Sequence, residues 1–209
     1  MQLPDLPESY HPLVQALEAE SDGALLQGFQ TQADQGRYFV ALFCRYGLFT
    51  YTLLIHAAPE RTQTDCLFGH LWRTLFGHLR RLDPQSLGAD SNGRPALQAW
   101  LVKATAQWLH DRQIPTPETI RYALPALPPP LWCYLDQALA DVSPPLRTLL
   151  IMGAVQQRPA EALAAELSQA NLKLSAVQIT QLLEQGYQDL LTRLPEDIRA
   201  IYLQPAAPP

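Results

Sequence analysis

Apolar residues along this chain recur mostly at three- and four-residue spacing, the pattern of helices that each bury one face. The first apolar piece, Leu13 to Leu25, lies among Pro4, Pro7 and Pro12 and runs into the breaker Asp22-Gly23, which predicts a leader over residues 1–30 with one short helix. From Tyr38 to Ala57 the density rises. Phe39, Leu42, Phe43, Tyr46 and Phe49 need burial on more than one side, so this segment reads as a core helix with Gly47 as a bend. Thr64 to Leu82 carries Leu67, Leu71, Leu75 and Leu79 as an i, i+4 stripe, with Asp65 in the first turn and Arg73, Arg80 and Arg81 off the stripe. Asp83-Pro84 ends that helix, and Gly88 to Pro95 reads as a mobile loop. A third helix, Ala96 to Arg112, sets Leu97, Trp100, Leu101, Ala104, Trp108 and Leu109 along its apolar side. It closes a three-helix domain over residues 31–112.

Residues 113–130 contain Pro115, Pro117, Pro125, Pro128, Pro129 and Pro130, which suit a semi-rigid spacer with one short turn around Glu118 to Tyr122. Beyond it four helical segments are expected: Leu131 to Ala140, Pro145 to Val155, Pro159 to Ala170 and Ser175 to Leu191. Pro145, Pro159 and Ser175 stand at natural helix starts. The connection Asn171-Leu172-Lys173-Leu174 is short, and a longer helix follows it, which is the helix-turn-helix pattern over residues 131–203. The end, residues 204–209, reads as a disordered tail. The expected fold class is all-α: two small helical domains, the second helix-turn-helix-like, joined by a proline-rich linker.

Composition narrows the function. With 209 residues and 47% apolar positions there is material for two small cores. No unbroken apolar run reaches 18 residues and the start Met-Gln-Leu-Pro-Asp is no export signal, so a soluble, cytoplasmic chain away from membranes is expected. Cys44, Cys66 and Cys133 have neither zinc-site nor disulfide-framework spacing and read as reduced core residues. The net charge of −5 argues against coating nucleic acid by bulk electrostatics, because such binding neutralises phosphates with Lys and Arg. No glycine-rich phosphate loop, nucleophile elbow or carboxylate pair appears. His70 and His78 lie two turns apart with no Glu or Cys at metal-ligand spacing between them. No enzyme activity, catalytic residue, metal or cofactor is therefore expected.

Several segments carry a resemblance. Tyr38-Phe-Val-Ala-Leu-Phe-Cys-Arg-Tyr46, Thr64-Asp-Cys-Leu-Phe-Gly-His-Leu-Trp-Arg73 and the helix from Leu97 to Asp111 fall in one order. Leu139-Ala-Asp-Val-Ser-Pro-Pro-Leu-Arg-Thr-Leu-Leu150, Arg158 to Leu167 and Leu174-Ser-Ala-Val-Gln178 follow. In order and spacing they resemble the two-domain, extracytoplasmic-function type of sigma-70 family factor, over roughly residues 36–203. The resemblance implies that core RNA polymerase and promoter DNA are the partners, with an anti-sigma or other regulatory protein as a further one. It assigns Asp65, Leu67, Phe68, Leu71 and Trp72 to polymerase docking. It assigns Lys103, Gln107, Trp108 and Arg112 to the opened promoter strand, and Ser175, Gln178, Gln181 and Gln185 to the upstream element.

The residues also depart from that family. Phe68-Gly69 stands where a Gln-Glu pair is usual, and the last helix is lined by glutamines where the family has arginines. From Asp136 onward five Lys and Arg stand against eight Asp and Glu, a net of −3, so phosphate attraction there is weak. Gln178 or Gln181 has the amide geometry that pairs with an adenine edge. Trp100 fits the apolar stripe, whereas Trp108, beside Gln107, Asp111 and Arg112, is open either to the core or to stacking on an unpaired base. The basic group of His70, Arg73, His78, Arg80 and Arg81 is the strongest basic patch and reads first as a solvated helix face. An alternative to the sigma-factor reading is a sigma-shaped interaction or regulatory protein that has lost promoter binding.

Overall fold

Helices account for the regular structure, and no strand occurs among the described residues. The computed structural model describes residues 3–58, 60–87, 96–120, 127–155, 158–169 and 174–204. In chain order the helices are α1 (Pro12–Gln15), α2 (Asp22–Thr31), α3 (Arg37–Ile55), α4 (Arg61–Arg81) and α5 (Ala96–His110), then α6 (Pro129–Ala140), α7 (Pro144–Leu150), α8 (Ala160–Gln169), α9 (Ala176–Arg193) and α10 (Glu196–Tyr202). They form two compact units. The first takes residues 1–120, 128–133 and 195–209; the second takes 121–127 and 134–194. The expected loop Gly88 to Pro95, most of the turn Asn171 to Leu174, the end of the Glu118 to Tyr122 turn and the tail beyond Gln204 lie outside the described residues.

The first unit is built around an aromatic core. Trp72 is fully buried, edge-on to Phe43 at 4.9 Å and to Phe39 at 5.9 Å, and its indole N–H donates to Thr50 Oγ1 at 3.0 Å. Phe29 and Phe76 extend the cluster around Phe39. Such pairs stabilise by about 0.5–1.5 kcal/mol beyond the area they bury. The helix α3 is long and apolar enough to span a bilayer by composition, but Phe39, Val40, Leu42, Phe43 and Leu54 are all at 1% exposure or less, inside this core.

Residues 1–30 differ from the expected leader. Asp22-Gly23 does not break a helix; it begins α2, because Ser21 Oγ accepts from the Ala24 amide at 3.2 Å and Asp22 sits in the first turn, where a carboxylate favours the helix dipole. Leu25, Leu26 and Phe29 of α2 are buried at 1% exposure or less. The Gln30 side chain donates to the carbonyls of Leu79 (2.8 Å) and Leu82 (2.7 Å), satisfying acceptors left open at the end of α4. Gly28 is required, since a Cβ there would lie 2.6 Å from the Tyr38 ring.

The return of the chain to the first unit is the second difference. The expected domain 131–203 is divided, because residues 128–133 and 195–204 group with the first unit. Pro129 and Pro130, expected in the spacer, form the first turn of α6, where proline lacks no needed donor. The helix α10 had no expected counterpart.

The second unit has a smaller core of Leu149, Leu163 and Ile179, with Met152, Leu167, Leu174, Leu182 and Leu183 packed against it. The helix α7 passes into a π turn at Ile151–Val155. The helix α9 starts with a capping box: Ser175 Oγ accepts from the Gln178 amide at 3.2 Å, and Gln178 Oε1 accepts from the Ser175 amide at 2.9 Å.

Candidate functional site

The residues assigned to polymerase docking are mostly core. Leu67 is 3% exposed, Phe68 6%, and Leu71 and Trp72 are fully buried. This corrects the docking assignment for those four, since side chains closed into an aromatic core present no surface to a partner. Asp65 is half-exposed, but it already accepts from the Tyr51 hydroxyl at 2.6 Å, and Arg61 lies 3.6 Å away. What α4 does present is a smooth strip. A Cβ added at Gly69 or Gly77 would meet nothing within 4 Å, and His70 and His78 are exposed beside them.

The end of α5 gathers cations over indoles. Trp108 is 8% exposed, donates to Thr74 Oγ1 at 3.1 Å and carries the Arg112 guanidinium 4.6 Å from its ring centroid. Its face is therefore covered, which removes it as a stacking platform. Trp100, expected in the core, is the less buried of the two. Gln107 donates to both carboxylate oxygens of Asp111, at 3.1 and 3.0 Å, so its amide is engaged too. Lys103 is exposed. The Arg73 guanidinium lies 5.1 Å from the Trp132 ring. Although His70 is largely open to solvent, partial desolvation of its ring draws its pKa down, and Arg73 and Arg112 push it the same way. With the Trp108 face covered and the Gln107 amide engaged, neither is free at the end of α5 to meet a base.

In the second unit Ser175, Gln178, Gln181 and Gln185 are all exposed on α9. Spacing of three, three and four sets them along one helix face. Ser175 and Gln178 are spent on each other in the capping box, so Gln178 reads an adenine edge only by giving up its helix start. That corrects its role as a free reader. Gln181 and Gln185 remain available. No Lys or Arg occurs in α9 before Arg193, which is ion-paired with Asp189 at 3.0 Å; Lys173 lies outside the described residues.

A buried polar cluster in the first unit was not anticipated. Glu8 is 5% exposed, and the Tyr202 hydroxyl donates to its Oε1 at 3.2 Å. Burial pushes the Glu8 carboxyl up, and the bonds to its own backbone and from Tyr202 draw it back. Cys44 is pushed up to about 12 by burial and then by Glu8, so it remains a thiol at neutral pH. The clue in the sequence was Pro195-Glu196-Asp197, a proline and two acids at a helix start.

Three phenols share one titration behaviour. Burial raises Tyr46, Tyr51 (to about 12) and Tyr202, with the neighbouring carboxylates Asp22, Asp65 and Glu8 adding to it. An unfolded phenol ionises near pH 10, so the folded state holds these protons after the unfolded state has lost them. Their stabilisation is complete below about pH 10 and is lost as pH rises through about 12 at Tyr51. In an alkaline titration, phenolate absorbance from these tyrosines is expected to appear together with loss of far-ultraviolet ellipticity. Phenolate appearing well before unfolding contradicts their burial.

Comparison with protein-family models, curated proteins and solved structures finds no match to this chain.

Proposed function

We propose that the chain is a sigma-factor-like, non-enzymatic protein of the cytoplasm that binds core RNA polymerase and directs promoter recognition in transcription initiation. The observation that carries this reading is the order of folded segments. The three stretches that resemble the family's first domain fall on α3, α4 and α5 of one unit, and those that resemble its second fall on α6 to α9, ending in a capped helix with an exposed amide face. On this reading the docking contacts are backbone and exposed positions of α4 around Gly69 and His70, and Lys103 and Arg112 hold promoter phosphates.

A second reading has its own support. The outward face of α9 carries Gln178, Gln181, Glu184, Gln185 and Gln188 with Val177 at 68% exposure and no cation, which suits a protein partner such as an anti-sigma factor better than a phosphate backbone. Copurification with core polymerase followed by promoter opening at low salt separates the two. Gly69→Arg is the informative variant, because open space at that Cβ lets the fold survive. Polymerase capture is expected from the unaltered chain and at least tenfold less from the variant at equal helicity. No capture of the unaltered chain removes both the docking and the sigma-factor reading; capture without opening favours the second.

A further inference from the structure

The chain leaves the first unit after residue 133 and re-enters it at Pro195. The re-entering piece is small. It is the seven-residue helix α10, too short to hold its own helicity in water, so its order derives from what it touches. Two polar contacts and one apolar one are made inside the first unit. The Asp197 carboxylate accepts from the amides of Gly36 (3.0 Å) and Arg37 (2.8 Å), which are orphan donors at the start of α3, and also from the Ile198 amide at 2.8 Å. A carboxylate at a helix start is favoured by both hydrogen bonding and the helix dipole. Tyr202 reaches Glu8 through its hydroxyl, and Ile198 is fully buried.

We infer that α10 is a C-terminal latch: Asp197 on the start of α3 and Tyr202 on Glu8 hold it closed, and it opens locally while the aromatic core of the first unit stays folded. Several features argue for opening without global unfolding. Ile198 is the one fully buried side chain of α10, with Ile201 and Tyr202 partly covered, whereas α3 and α4 bury many. Its partner Glu8 sits in a short 3-10 turn, Pro7–Tyr10, and not in the aromatic core. Segments with few buried apolar contacts open at lower free energy than the core that carries them. The inference does not depend on a polymerase or DNA role.

Native-state hydrogen exchange on the full chain tests it. In the unaltered protein, amides of residues 196–202 together with Gly36 and Arg37 are expected to exchange at least tenfold faster than Leu71, Trp72 and Leu75 in α4. Asp197→Asn keeps the shape and removes the charge, and is expected to speed exchange of that set roughly five- to tenfold while α4 is unchanged. Equal exchange of α10 and α4, in either protein, overturns the latch and makes α10 a fixed strut of the first unit. So does acceleration of α4 by the same factor in Asp197→Asn. An Asp197→Asn chain whose Gly36 and Arg37 amides are unaffected overturns the assigned closing contact.

Discussion

Leu71→Arg is expected to unfold the first unit rather than to remove a binding contact. Leu71 is fully buried beside Trp72. A guanidinium forced into that site has no carboxylate waiting for it, and a lone buried charge costs several kcal/mol after relaxation. A loss of roughly 5 kcal/mol or more is expected, the range reserved for disrupted cores and comparable to the whole stability of a small domain. All four tryptophans, Trp72, Trp100, Trp108 and Trp132, belong to the first unit, so tryptophan emission during denaturant unfolding reports that unit alone. The companion change Asp65→Ala removes the acceptor of the Tyr51 hydroxyl and is expected to cost about 1 kcal/mol with the fold intact. A Leu71→Arg chain with native emission and an unshifted midpoint contradicts the burial of this helix face.

That contrast shows what was legible in the sequence. The i, i+4 stripe of Leu67, Leu71, Leu75 and Leu79 predicted packing, and two of the four, Leu67 and Leu71, were also matched to a docking surface. Both expectations drew on the same side chains, and burial decides for packing. Periodicity reports which residues face one way, not whether the chain's own core or another molecule lies there. The tryptophans show the same limit: Trp108 and Trp100 sit eight residues apart on one helix, yet the former closes under Arg112 and onto Thr74 because α4 lies against its side of α5. The missed elements have a different cause. Local rules marked Asp22-Gly23 as a breaker, but Ser21 supplies a cap and Leu25, Leu26 and Phe29 supply burial, which outweigh the glycine. The helix α10 is set by partners more than 150 residues away, Gly36 and Arg37, which no window along the chain contains.

Ile179→Asp is expected to melt the second unit while sparing the first. Ile179 is fully buried, as is Leu163, with Leu149 at 5%, and these three form one buried cluster of the second unit. A carboxylate buried in that cluster has lost its water, so the penalty of several kcal/mol falls on the helices that close over it, α7, α8 and α9. Far-ultraviolet ellipticity is expected to drop by the share of those helices, while tryptophan emission, which arises only from the first unit, keeps its native maximum. Loss of both signals at one midpoint means that the two cores unfold as one cooperative body. Loss of ellipticity alone means that the order of α9, and with it the amide face proposed to meet DNA or a protein, depends on the second unit's own core, so that any activity assigned to that face must vanish with Ile179→Asp while the first unit's emission is kept.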